Sequence, residues 1–143
     1  MPTAIQSRAL GVSLVHKVYR VDYTELTAAD TSESLSIVTL PAGAVGVAAW
    51  IDVVSAFTDA GSISALGLEV GDSADPNALL TSVDGFAVTG RSQNVAAGST
   101  EIWASMAVEL KATATGANLG DGAGTTALDS GIVDVHLLYR VID

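Results

Sequence analysis

The sequence predicts an all-β fold, a sandwich or barrel of six to eight antiparallel strands with at most one short helical turn. Three observations carry this reading. Apolar residues recur with a period of two over most of the chain. The alternating stretches are separated by turns rich in Gly, Ser, Asp and Pro. A helical period is almost absent.

Residues 13–24 read as the first strand. Val15, Tyr19, Val21 and Tyr23 share one face, interrupted by Lys17, while His16, Arg20 and Asp22 lie on the other. Residues 34–40 form a second strand on Leu35, Ile37 and Leu40, with Val38 breaking strict alternation and Pro41-Ala42-Gly43 as the turn. In residues 45–57, Val45, Val47, Ala49, Ile51 and Val53 alternate with Gly46, Ala48, Trp50, Asp52 and Val54. Both faces are largely apolar, which marks a central strand. Leu66, Leu68 and Val70 define a strand over residues 63–70.

Asp75-Pro76 is a favourable helix entry: a capping oxygen followed by a proline whose missing N–H costs nothing there. A helical turn is therefore expected over residues 76–80. Residues 81–100 are Gly- and Ser-rich and read as a long connection with one short strand near residues 85–88. Residues 101–114 alternate again, with Ile102, Ala104, Met106, Val108 and Leu110 opposite Trp103, Ser105, Glu109 and Lys111. A polar loop follows, and the last strand, residues 131–142, points Val133, Val135, Leu137, Tyr139 and Val141 inward and Asp134, His136 and Arg140 outward. Residues 1–12 lack a period and are expected to be a tail, or an arm that orders on a neighbour. Residues 13–143 are expected to form one domain. The run His16-Lys17-Val18-Tyr19-Arg20-Val21 echoes His136-Leu137-Leu138-Tyr139-Arg140-Val141, as two strands in equivalent places of a sheet would.

Composition narrows the function. The chain has 143 residues, enough to bury roughly 68–70% of its unfolded surface without staples. It has no cysteine, so no disulfide or thiolate chemistry is available. With 16 acids against 6 bases the net charge is −10, and the bases are scattered. Nucleic-acid binding is not expected, because it needs clustered Lys and Arg against phosphate. Residues 1–11 show no secretory pattern, and no apolar run approaches the roughly 20 residues of a membrane span.

Reactive chemistry is hard to find. Two histidines without cysteine give no zinc spacing. If their strands are adjacent, His16 and His136 could meet on one face; otherwise they are exposed strand histidines. The loop residues Asp59, Asp72, Asp75 and Asp121 are too sparse to supply the 6–8 oxygens calcium takes, and read as turn formers. No Gly-x-Ser-x-Gly elbow occurs. A set drawn from His136, Asp134 and a loop serine is one that any serine-rich chain permits. No enzyme activity and no cofactor are expected.

Four pieces in order resemble a family of small tailed-bacteriophage virion proteins. They are Tyr23-Thr24-Glu25-Leu26, Thr39-Leu40-Pro41-Ala42-Gly43-Ala44, Leu68-Glu69-Val70-Gly71-Asp72-Ser73-Ala74-Asp75-Pro76, and Thr113-Ala114-Thr115-Gly116-Ala117-Asn118-Leu119 leading into the closing strand. The resemblance spans about residues 22–141. It implies a jelly-roll-like sandwich acting as a capsid decoration, or cement, protein on the outside of a phage head. The major capsid protein would be its partner, and it would form a homo-oligomer, with a trimer favoured. Ile5, Arg8 and Leu10 of the N-terminal segment, and Trp103, are the expected partner contacts. The unpaired edge strands of a sandwich would offer further joints. The alternative is a carbohydrate-binding or fibre-associated module of a phage head fibre or tail, which needs an exposed aromatic platform such as Trp103 or Tyr139.

Overall fold

A computed structural model of the chain describes residues 12–88, 92–93 and 103–142. Eight strands run through them: β1 (Val12–Asp22), β2 (Ser32–Thr39), β3 (Ala44–Asp59), β4 (Ala65–Gly71), β5 (Leu80–Asp84), β6 (Ser92–Gln93), β7 (Ala107–Thr115) and β8 (Leu128–Ile142). Sheet A has the order β1-β8-β3-β6 and sheet B the order β2-β7-β4-β5. Every pairing is antiparallel. The partners nest, first with last: β1 with β8, β2 with β7, β3 with β6, β4 with β5. That nesting is a long antiparallel ribbon rolled onto itself, the jelly roll.

The core lies between the sheets. Val133, Val135, Leu137 and Tyr139 of β8 join Ile51 and Val53 of β3 on one side, and Leu66, Leu68, Val70, Val108, Leu110 and Ala112 of β4 and β7 on the other. Two glycines let large rings into this layer. A Cβ on Gly46 would collide with the indole of Trp103, and one on Gly131, whose φ is 141°, with the ring of Phe57. Trp103 and Phe57 are each 1% exposed.

Several elements differ from the sequence expectation. The helical turn lies at Tyr23–Glu25, not at residues 76–80. Asp22 caps it by accepting the Thr24 N–H at 3.0 Å, while Glu25 accepts the Asp22 N–H at 2.9 Å. That reciprocal pair satisfies two otherwise orphaned donors. After β4, Asp72 Oδ1 accepts the N–H groups of Ala74 and Asp75 at 2.9 and 2.8 Å. Leu79 N–H bonds to the Val70 carbonyl at 2.9 Å, so the segment folds back as a turn and no helix begins. The short strand expected near residues 85–88 lies earlier, as β5, with Gly85 N–H donating to Leu66.

The strand expected over residues 101–114 begins only at Ala107. Trp103 to Met106 is a turn, with Ser105 at φ 57° and the Met106 N–H donating to the Trp103 carbonyl at 3.0 Å. Trp103 N–H and Ser105 N–H reach the carbonyls of Ala44 and Pro41, which clips this turn to the start of β3.

Because the indole of Trp103 fills the space a Gly46 side chain would need, Gly46→Ala is expected to destabilise the fold by about 1–3 kcal/mol. Urea unfolding followed by tryptophan fluorescence measures this directly.

Candidate interaction face

The alternation of β8 gives sheet A two different surfaces. Its odd positions from Gly131 to Tyr139 are buried, so Ile132, Asp134, His136, Leu138 and Arg140 point outward. Registration with β1 and β3 arranges the outer side chains in rows across the sheet: Leu14–Arg140–Val45, His16–Leu138–Ala48, Val18–His136–Trp50, and Arg20–Asp134–Asp52.

β3 is bulged at Val47 and at Val54, each one extra residue against β8, and its register shifts twice more between Ser55 and Asp59. The first reverses the phase of the strand. Ala44 and Gly46 are buried, while Val47 is 47% exposed.

Among the described residues, the large exposed apolar side chains are Leu14, Val18, Val47, Val54, Val88 and Ile142. All but Val88 belong to β1, β3 or β8. The outer face of sheet B is different in kind. It presents Ser32, Ser34, Ser36 and Thr39 from β2, Glu109, Lys111, Thr113 and Thr115 from β7, and Gly67 and Glu69 from β4. A shallow groove of about 510 Å³ on that side is lined by hydroxyls, Glu69 and Asp84, with no aromatic side chain.

The charges on sheet A are internally matched. Asp134 and Asp52 lie directly opposite each other, an unfavourable like-charge pairing. Arg20 offsets it with two hydrogen bonds to Asp134, at 2.8 and 2.9 Å. That hydrogen bonding, and the charges of Arg20 and His136, hold the Asp134 carboxyl below its ordinary pKa against the opposing effect of burial. His136 Nε2 lies 3.0 Å from Asp52 Oδ2, a close electrostatic contact at an angle too poor for a hydrogen bond.

The two sequence histidines do meet. His16 Nε2 lies 3.1 Å from His136 Nδ1. Their positions are diagonal across β1 and β8, the spacing that the repeated His-x-x-Tyr-Arg-Val pattern produces in this register. Trp50 is only 6% exposed and stacks on His136 at 4.8 Å between ring centroids, 12° from parallel. The place of Trp50 beside the histidines follows from the β3–β8 register, which no local pattern announces. Asp134 is held by Arg20, so the His136–Asp134 relay that the sequence permitted is not formed.

Trp103, expected to touch a partner, is buried over Gly46 and presents no surface. Tyr139 is 6% exposed, so neither proposed aromatic platform stands at the surface. Ile5, Arg8 and Leu10 lie outside the described residues. The loop aspartates act in turns: Asp121 Oδ1 accepts N–H groups from Ala123 and Thr125, and Asp59 Oδ2 accepts that of Ile63.

The edges are guarded, contrary to their expected role as joints. Lys17 stands at a core-side position in the middle of β1, β2 is bulged at Ile37, and β5 and β6 are five and two residues long. Inward charges, bulges and short edges all oppose the addition of a further strand.

No protein-family model matches the chain, and no curated protein matches it. Solved structures do. A chain of the capsid of Ralstonia phage GP4 is 21% identical with a TM-score of 0.51, over 90% of this chain and 85% of that one. A chain of the cyanophage Pam1 capsid asymmetric unit is 14% identical with a TM-score of 0.47, over 99% of each. A chain of the acidic stable capsid structure of Helicobacter pylori bacteriophage KHP30 is 17% identical with a TM-score of 0.44, over 92% of this chain and 99% of that one. The likeness to the GP4 chain supports the two-sheet fold.

The depressed pKa of Asp134 makes a signed prediction. Its stabilisation is present above the unfolded carboxylate value of about 3.9 and is lost as pH falls through the lower folded value. Asp134→Asn should therefore be less stable than wild type at pH 7, with the gap closing below about pH 4, as read by thermal melts across that range.

Proposed function

We propose that this chain is a structural protein of a bacteriophage particle, a decoration protein that docks on the outside of the capsid through the outer face of sheet A. The observation that carries the proposal is the segregation of exposed apolar side chains onto that one face, around matched charges and a half-buried His–Trp stack. Contiguous apolar surface on a soluble domain marks a place where other protein binds. The capsid setting is supported by the sequence resemblance and by the fold shared with the GP4 capsid chain.

The physics suits the role. A jelly roll with little to order on docking loses little entropy when it binds. Binding only the assembled shell stabilises that shell by mass action. The net charge of −10 discourages free copies from associating at random, while the matched charges of sheet A leave that face open to contact. The major capsid protein is the proposed partner, with Ile5, Arg8 and Leu10 as additional contacts. The carbohydrate-binding alternative loses its platform with the burial of Trp103 and Tyr139.

A homo-oligomer, with a trimer favoured, is part of the proposal. Light scattering of the purified protein should give three chain masses, and a single chain mass at micromolar concentration would remove that part. The double substitution Leu14→Asp/Val18→Asp places two charges at exposed positions of the face. It should weaken co-sedimentation with phage particles by at least about a hundredfold, at about 1.4 kcal/mol or more for each charge, and leave the circular dichroism unchanged. Undiminished binding by a folded double variant would remove sheet A as the docking face.

A further inference from the structure

The contact between His16 and His136 constrains where protons can sit. Two ring nitrogens 3.1 Å apart form a hydrogen bond only when one proton lies between them. Asp52 lies 3.0 Å from His136 Nε2 and favours a proton on that nitrogen. His136 Nδ1 is then the acceptor, and His16 Nε2–H the donor. A first added proton enters at His16 Nδ1. It leaves the bond intact and strengthens it, since the donor is now charged.

A second added proton has only His136 Nδ1 to occupy. It removes the acceptor and sets two N–H donors on two cations face to face. The surrounding charges do not change this count. From β1, Arg20 is engaged with Asp134, and Lys17 points the other way. From β8, Arg140 adds positive charge at the far end of the face and Asp134 is already neutralised by Arg20. From β3, Asp52 is the one carboxylate against the pair, and it faces the opposite nitrogen of His136.

We propose that the His16–His136 pair is an acid-sensitive latch in the docking face. Neutral or singly protonated, it is closed, with Trp50 stacked on His136 at 4.8 Å and tilted against His16 at 5.3 Å. Doubly protonated, it opens. His16, exposed on the edge strand, swings away, and the face then carries two positive charges that must be desolvated to dock. Acid thus releases the partner. The release half rests on sheet A being the docking face; the coupled titration does not.

The test is a ¹⁵N imidazole NMR titration of the full chain. The expected result is two macroscopic steps more than about one pH unit apart, neither belonging to one ring alone. In His16→Gln, His136 should titrate in a single step. Two independent steps near the ordinary value of about 6.5, with His136 unchanged in His16→Gln, would overturn the latch. Sedimentation with phage particles over the same pH range is the second arm. Wild type should dissociate across the lower step, and His16→Gln should remain bound to a pH at least about one unit lower. Coupled titration with pH-independent binding would sink the release. Failure to bind particles at any pH would sink the docking reading, and the release with it, while the coupled pair stands.

Discussion

The alternation of β8 is the constraint on which the rest depends. This strand of 15 residues pairs with β1 on one side and β3 on the other. It sets the register of both. Its inward residues build the sheet A side of the core, and its outward residues are the middle of every row on the opposite surface. A slip of one residue would turn Asp134, His136 and Arg140 toward sheet B and leave three charged or polar groups without water. Burial of Val133, Val135 and Leu137, each fully shielded, therefore fixes the outer surface as firmly as it fixes the core. The site is a by-product of the packing, held in place by side chains that never touch it.

The two outer faces show a division that folding alone does not require. Sheet B could be apolar outside and is not; it carries serines, threonines and paired positions of opposite charge such as Glu69 and Lys111. Sheet A carries the exposed Leu14, Val18, Val47, Val54 and Ile142. Of the four Lys and Arg residues among those described, Arg20 and Arg140 lie on the outer face of sheet A. In a chain with 16 acids, that concentration keeps one face near neutrality. Edges guarded by Lys17 and the bulge at Ile37 direct association to the face of a sheet.

Much of this was legible in the sequence, and the part that was not has physical causes. The strands and the inward set of β8 were readable because strict alternation survives over a long run. The adjacency of His16 and His136 was readable only as a possibility, since a period of two says which residues share a face but not which strands are neighbours. The bulges at Val47 and Val54 were hidden: in a strand apolar on both sides, an extra residue leaves no mark on the pattern. Trp103 was misplaced because alternation appeared to continue from Met106 back to Ile102, whereas the backbone turns at Ser105 and the clip to Pro41 and Ala44 carries the indole into the core. The cap at Asp22 was missed because Asp75-Pro76 gave the louder helix signal, but after the single turn closed by Ala78 N–H on the Asp75 carbonyl the Leu79 N–H bonds back to Val70 and the helix does not continue.

In the proposed docking, the rows across sheet A would divide the work of recognition between them. Those nearest Leu14 and Val18 offer apolar area, which supplies affinity at roughly 25 cal/mol per Å² removed from water but carries no direction. The Arg20–Asp134–Asp52 row offers little affinity, because its charges are already satisfied by one another and by His136. Its value is orientation, since a partner that presents the wrong charge there must break two hydrogen bonds to Asp134. The His16–His136–Trp50 cluster sits between the two regions and touches both. In the proposed latch, a change of protonation there would act on the apolar contacts of Trp50 and on the charge balance of the face together.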